Sequence, residues 1–315
     1  MILSASRRTD IPALYADWFC NRLHAGYVYV RNPHAPHQIS HIDLSPDTVD
    51  MIVFWTKNAL LMEDPLEEIT RLGYLFYFQY TITPYGSDIE PGLPSKQSII
   101  SNFIRLSSLY GKERMVWRYD PILVNRKYSM AFHKEAFANM CALLAPWACR
   151  CVFSFIDPYP KAMRRSGGQI DRLVSPQEMQ LIAAEFSHIA ATHRLPLMSC
   201  CEAVDLSPYG ITHSACIDGS LIEKLLGCPL QVKSDPNQRA GCGCVQSIDI
   251  GAYDTCTHNC LYCYATHSPK TLVHNLYLHD GASPLLVGFP TPKDKIIKRV
   301  TKSLKNSQLS FDFLP

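Results

Sequence analysis

The chain has 315 residues, 47 % apolar and 18 % charged, which excludes intrinsic disorder and leaves room for one large domain or two ordinary ones. Thirty Lys and Arg against 28 Asp and Glu give a formal charge of +2, excluding a strongly basic nucleic-acid coat and an acidic solvating tail. No run of about eighteen apolar residues occurs, and MILSASRRTDIP sets two arginines after a very short apolar stretch, the reverse of a signal peptide, so a cytoplasmic protein with no membrane partner is expected.

Short β-rich runs alternate with stretches of helical period. In chain order the predicted strands cover residues 2–5, 51–56, 75–81, 115–119, 151–156, 196–200 and 245–250, and the predicted helices include 65–72, 95–110, 129–144 and 176–193. Residues 27–31 and 38–44 pattern as a hairpin inserted after the first helix. Seven or eight βα units over about 260 residues predict an α/β fold of the (β/α) TIM-like barrel type rather than a short doubly wound sheet. Residues 1–268 are read as this barrel, with a cysteine-rich region at 200–263, and residues 269–315 as a C-terminal extension.

The strand ends carry polar groups that the strand interiors lack. They are Arg7, Arg8, Thr9 and Asp10; Thr56, Lys57 and Asn58; Gln79, Tyr80, Thr81 and Thr83; Arg118, Tyr119 and Asp120; Ser154 and Asp157; and Cys200, Cys201 and Glu202. In barrel enzymes the C-terminal mouth holds the active site, so these groups are expected to converge on one cavity. The competing reading is ordinary turn and capping chemistry.

Thirteen cysteines are many for a reducing compartment, where clustered cysteines more often bind metal than pair. Cys20, Cys141, Cys149 and Cys151 are scattered, whereas nine fall between Cys200 and Cys263. Cys256, Cys260 and Cys263 form a C-x3-C-x2-C run with Tyr262 before the last thiol. Three thiolates on a tight loop can hold three irons of a four-iron cluster and leave the fourth open to a substrate. The alternative is zinc, with His258 or Cys244 as a fourth ligand. Cys200, Cys216, Cys242 and Cys244 are read as an auxiliary iron–sulfur cluster, in preference to structural zinc or buried thiols; Cys201 competes with Cys200, and Cys228, before Pro229, reads as packing.

The C-x3-C-x2-C with its aromatic resembles the signature of the radical S-adenosylmethionine superfamily, and CYA resembles its spore photoproduct lyase-like branch. The segments SASRRTDIP, FWTKN, QYTITPYG, WRYDPI and CGCVQSIDIGAYDTC resemble an uncharacterised domain-of-unknown-function family placed in that superfamily. The resemblance implies that Cys256, Cys260 and Cys263 hold a 4Fe-4S cluster whose open iron takes the amine and carboxylate of S-adenosylmethionine. One electron, from a donor such as flavodoxin or ferredoxin, then breaks the sulfonium bond, and a 5′-deoxyadenosyl radical abstracts hydrogen from the substrate. Thr81, Arg118, Asp120 and Lys57, chosen as strand-end residues, are expected to hold the cofactor. In the superfamily the trio follows the first strand; here it follows the last, which implies a circularly permuted barrel with residues 1–5 beside 245–250. The expected substrate is nucleic acid or a nucleobase, with a peptide or small metabolite as the alternative; a zinc-stapled binding module without catalysis is the reading from another class.

Beyond the trio, KDKIIKRVTKSLKN carries five Lys and one Arg and reads as a solvated amphipathic helix before a frayed tail. Gln308, Leu309, Phe311 and Phe313 resemble the peptides by which bacterial repair proteins dock on the replication sliding clamp.

Overall fold

The computed structural model describes residues 1–157, 159–239 and 241–306. In chain order the elements are β1 (Ile2–Ala5), α1 (Ile11–Leu14), α2 (Ala16–Ala25), β2 (Tyr27–Asn32), β3 (Ala35–Asp43), β4 (Met51–Thr56), α3 (Glu63–Arg71), β5 (Phe76–Thr81), α4 (Lys96–Tyr110) and β6 (Met115–Ile122). There follow α5 (Met130–Leu144), β7 (Arg150–Phe155), α6 (Pro160–Arg165), α7 (Pro176–Thr192), β8 (Leu197–Ser199), β9 (Thr212–His213), α8 (Gly219–Leu226), β10 (Ile248–Asp249), α9 (Pro269–Leu278) and β11 (Lys295–Lys298).

Eight strands form one parallel sheet in the linear order β10-β1-β4-β5-β6-β7-β8-β9, with β10 and β9 at its two ends. The strands read as near-continuous apolar runs, MIVFWT in β4 and FYFQYT in β5, because both faces of a parallel sheet are covered. Phe54, Phe76 and Phe78 pack beneath the helices with Phe103 of α4. The opposite face, with Met51, Val53, Tyr77, Val116 and Val152, packs on Ile217, Leu221 and Ile222 and on Cys200, Cys216 and Cys244. The cysteine-rich segment is therefore the lid of one sheet face. The long helices start where polar caps fall: Ser95 for α4, Ser129 for α5, and for α7 a capping box of Ser175 and Glu178 with Pro176 at the first position.

β2 and β3 form the expected hairpin, and β11 completes a separate three-stranded sheet by pairing parallel to β3, Lys295 opposite Gln38. The helix expected in the basic stretch is thus a strand over Lys295–Lys298. Ile296 and Ile297 favour extended backbone, and β3 offers an open edge that lysines on either side tolerate. The chain then returns to the body, where Asp50 accepts hydrogen bonds from Ser303 Oγ (2.6 Å) and the Leu304 amide (2.7 Å), and Leu304 O accepts one from the Gln231 amide (2.8 Å). The strand predicted at 245–250 shrinks to Ile248–Asp249, since Val245 instead bridges Ser234. The apolar tail with Gln308, Leu309, Phe311 and Phe313 lies outside the described residues. Among the described residues no helix is long and apolar enough to cross a membrane.

Candidate metal centre and cavity

The strand-end groups do converge. A cavity of about 490 Å³ is walled by Arg7–Asp10 after β1, Trp55 and Lys57 at β4, Thr81, Arg118 and Asp120, Ser154 and Asp157, Cys200 and Cys201, and the loop that follows β10. Cys256, Cys260 and Cys263 line it on one side, and Cys216, Cys242 and Cys244 on another.

The Cys256–Cys263 loop is short of regular structure and is held by tertiary bonds instead. At its root, Asp249 accepts from Ser4 Oγ (3.0 Å), Ser6 Oγ (2.6 Å), the Arg7 amide (2.8 Å) and Arg8 Nε (3.0 Å), which locks SASRR to β10. Gly251 then passes so close to Ser6 that an added Cβ would lie 2.7 Å from the Ser6 Cβ. Within the loop, His258 Nε2 meets Asp10 Oδ2 at 2.9 Å, and the Leu261 amide bonds to Ile89 O at 3.0 Å. Gly92 donates to His258 O (3.0 Å), with no space for a Cβ, which would sit 2.8 Å from His258 Cα. Arg165 of α6 donates to the carbonyls of Cys260 (3.1 Å) and Cys263 (2.8 Å) and also to that of Thr266.

Tyr262 turns inward and donates to Glu90, a carboxylate only 2 % exposed that also receives Lys57 Nζ (2.8 Å), Thr83 Oγ1 (2.7 Å) and Lys96 Nζ. Burial by itself would raise Glu90, but the two ammonium groups overcome it and hold the carboxyl down at about 2. Burial pushes the Cys260 thiol up to about 12 and Cys256 well above its ordinary range.

The donor set suits a thiophilic metal with a polar guest. Three thiols share one wall of the cavity, and three buried polar atoms in its walls, Arg7 Nη2, Thr9 Oγ1 and His258 Nδ1, have no partner. Among the described residues no group of three or more His, Cys, Asp or Glu stands ready-made around a single point.

The other cysteines sort by position. Cys200 and Cys216 bring their sulfurs to 3.1 Å, Cys244 is buried in the same cluster, and Arg118 Nη1 donates to Cys216 Sγ at 2.9 Å. Cys242 is half-buried, and its amide donates to the Arg239 carbonyl (3.1 Å).

The model of one protein family, described as a domain of unknown function (DUF1848), matches residues 2–265. The chain belongs to the DUF1848 family. No curated protein and no solved structure matches the chain.

The DUF1848 match runs from β1 through the cysteine loop and so takes in the whole cavity, while α9 and β11 lie beyond it. Of the strand-end residues expected to hold a cofactor, all four reach this cavity. Arg118 and Asp120 are also bound to each other (Nε–Oδ2 3.0 Å), Lys57 is tied to Glu90, and Thr81 closes the β5 end. Sequence reasoning missed Glu90, Arg165 and Asp249 as an acceptor. Glu90 sits in DIEPGLP, a stretch that reads as loop; its charge amid turn residues carries no sign of burial.

Proposed function

We propose that this chain is a radical S-adenosylmethionine enzyme on a circularly permuted (β/α) TIM-like barrel. The carrying observation is the cavity in which Cys256, Cys260 and Cys263 face the strand-end cations and the unpartnered Arg7 Nη2, Thr9 Oγ1 and His258 Nδ1. In favour of the permutation, β1 lies between β10 and β4, so the strand that carries the cysteine loop neighbours the first strand. When bound, a reduced 4Fe-4S cluster and S-adenosylmethionine supply a 5′-deoxyadenosyl radical for hydrogen abstraction.

The residues of the chain would do the rest. Cys256, Cys260 and Cys263 would hold the cluster, with Arg165 and Gly92 fixing the loop that carries them. Lys57, pinned by Glu90, and Arg118, pinned by Asp120, keep positive charge on the wall, and Thr81 adds a hydroxyl. Thr81, Arg118, Asp120 and Lys57, with the unpartnered Arg7, Thr9 and His258 atoms, would orient the charged end of S-adenosylmethionine. Flavodoxin or ferredoxin would serve as the electron donor. For the substrate we propose nucleic acid or a nucleobase, supported by Tyr159 and Tyr264 in the cavity wall, ring centroids 5.5 Å apart, aromatic surface against which a base can stack.

Protein purified and reconstituted anaerobically with iron and sulfide should be brown and should convert S-adenosylmethionine to 5′-deoxyadenosine on reduction. Cys256→Ala, Cys260→Ala and Cys263→Ala should each abolish that conversion, since two thiolates do not retain a cluster with one open iron. Undiminished cleavage in any one variant would overturn the reading.

A further inference from the structure

We propose that Cys200, Cys216 and Cys244 form a second thiolate site for a thiophilic metal centre, separate from the Cys256 loop and opening on the same cavity. The three thiols come from three distant segments, the end of β8, the loop before α8 and the loop before β10, and the fold brings all three to one cavity without closing them on a single point. Cys216 is the hub, 3.1 Å from the Cys200 sulfur and buried in one cluster with Cys244. Buried polar side chains are dedicated to it: Gln79 Nε2 (2.6 Å) and Tyr77 OH (2.8 Å) both donate to the Cys216 carbonyl, and the Ile217 amide donates to Cys244 Sγ at 3.4 Å. Such donors to ligands and their sulfurs orient a metal–thiolate shell.

Charge separates this reading from a disulfide. Arg118, 4 % exposed, touches the Cys216 sulfur, and Arg7 lies beside Cys216 and Cys244 with Nη2 unpartnered. Buried guanidinium groups need anions, and Asp120 answers only one side of Arg118, with Asp235 at 3.9 Å from Arg7. Three thiolates around a divalent metal leave a net negative charge for these arginines, whereas a Cys200–Cys216 disulfide is neutral and leaves Cys244 over. Cys242, which the sequence places in the same group, is half-buried at the margin of this cluster with its amide bonded to the Arg239 carbonyl (3.1 Å), whereas the other three are buried, so three ligands are assigned to the chain and the fourth position to the cavity side.

The test uses the full chain carrying Cys256→Ser, Cys260→Ser and Cys263→Ser, titrated with Co²⁺ without oxygen. About one Co²⁺ per chain should bind with a thiolate-to-metal charge-transfer absorption, and adding Cys216→Ser should weaken binding about tenfold or more, while adding Cys242→Ser should change it less than about twofold. No charge-transfer band, or unchanged binding after Cys216→Ser, overturns the site. Alkylation mapping of the wild-type chain covers the case in which Cys216→Ser does not fold. Joint protection of Cys200, Cys216 and Cys244, released together by a chelator, supports the site, and a Cys200–Cys216 disulfide overturns it. Iron with sulfide in the triple variant identifies a cluster, and zinc a mononuclear site. Because the triple variant lacks the S-adenosylmethionine-cleaving loop, failure here leaves the proposed function standing, and the reverse holds.

Discussion

Glu90 joins the cysteine loop to β4 and α4 through Tyr262, Lys57 and Lys96. Glu90→Gln leaves two buried or half-buried ammonium groups without their counter-ion, so unfolding free energy should fall by about 3 kcal/mol in denaturant titration. The lower end of the range applies because Lys96 reaches solvent. Gly92 tests the loop by shape rather than charge. Gly92→Ala forces His258 away from its close approach, which should cost about 2 kcal/mol and lower the iron bound at Cys256, Cys260 and Cys263, read by metal analysis of the reconstituted protein.

At the scale of elements, the sheet positions the chemistry, and segments from far along the chain pack against it. β10 holds the root of the cysteine loop against β1, and α8 with the thiols closes the face of the sheet away from α4 and α5. The return of residues 299–306 depends on Asp50, whose carboxylate takes Ser303 and Leu304. Asp50→Ala leaves the Leu304 amide without its acceptor and should destabilise the chain by about 2 kcal/mol, with faster proteolytic cleavage in residues 299–306. Equal cleavage rates in the two proteins would show that Asp50 does not anchor this segment.

For the whole molecule, stability against pH draws on the buried His133 and Glu90 and on the half-buried Glu202. Burial lowers His133 to about 4, so its share of stability is whole above pH 6.5 and is lost as pH falls toward 4. Glu90, held at about 2, contributes above its ordinary 4.5 and loses that share as pH falls toward 2. Glu202, raised to about 7 chiefly by burial and then by Asp157 and Asp120, acts oppositely and is most favourable below 4.5, declining as pH rises to 7. Between about 4.5 and 6.5 the His133 and Glu202 slopes cancel, and below 4.5 stability should fall steeply. Replacing His133 by Gln should expose the Glu202 slope, a loss of about 1.4 kcal/mol per pH unit over that window, measurable by denaturant titration at several pH values. A flat profile in the variant would place the titration elsewhere.

The sequence by itself determined the elements whose signals are local. β4 and β5 are runs of β-branched and aromatic residues, α4, α5 and α7 begin at serine caps, and the hairpin of β2 and β3 alternates in register with its partner. Cys256, Cys260 and Cys263 stood out for the same reason, since their spacing lies within one loop. What only the tertiary structure decided depends on contacts between residues far apart. β11 is a strand because an edge of β3 was open to it, Glu90 is a buried hub because two lysines and a tyrosine meet there, and Cys216 is buried with Cys200 and Cys244 while Cys242 stays half-buried at their margin. Gly243 alone separates Cys242 from Cys244 in the chain, yet the packing of α8 against the sheet buries one thiol and leaves its neighbour toward Arg239, a choice that no local pattern encodes.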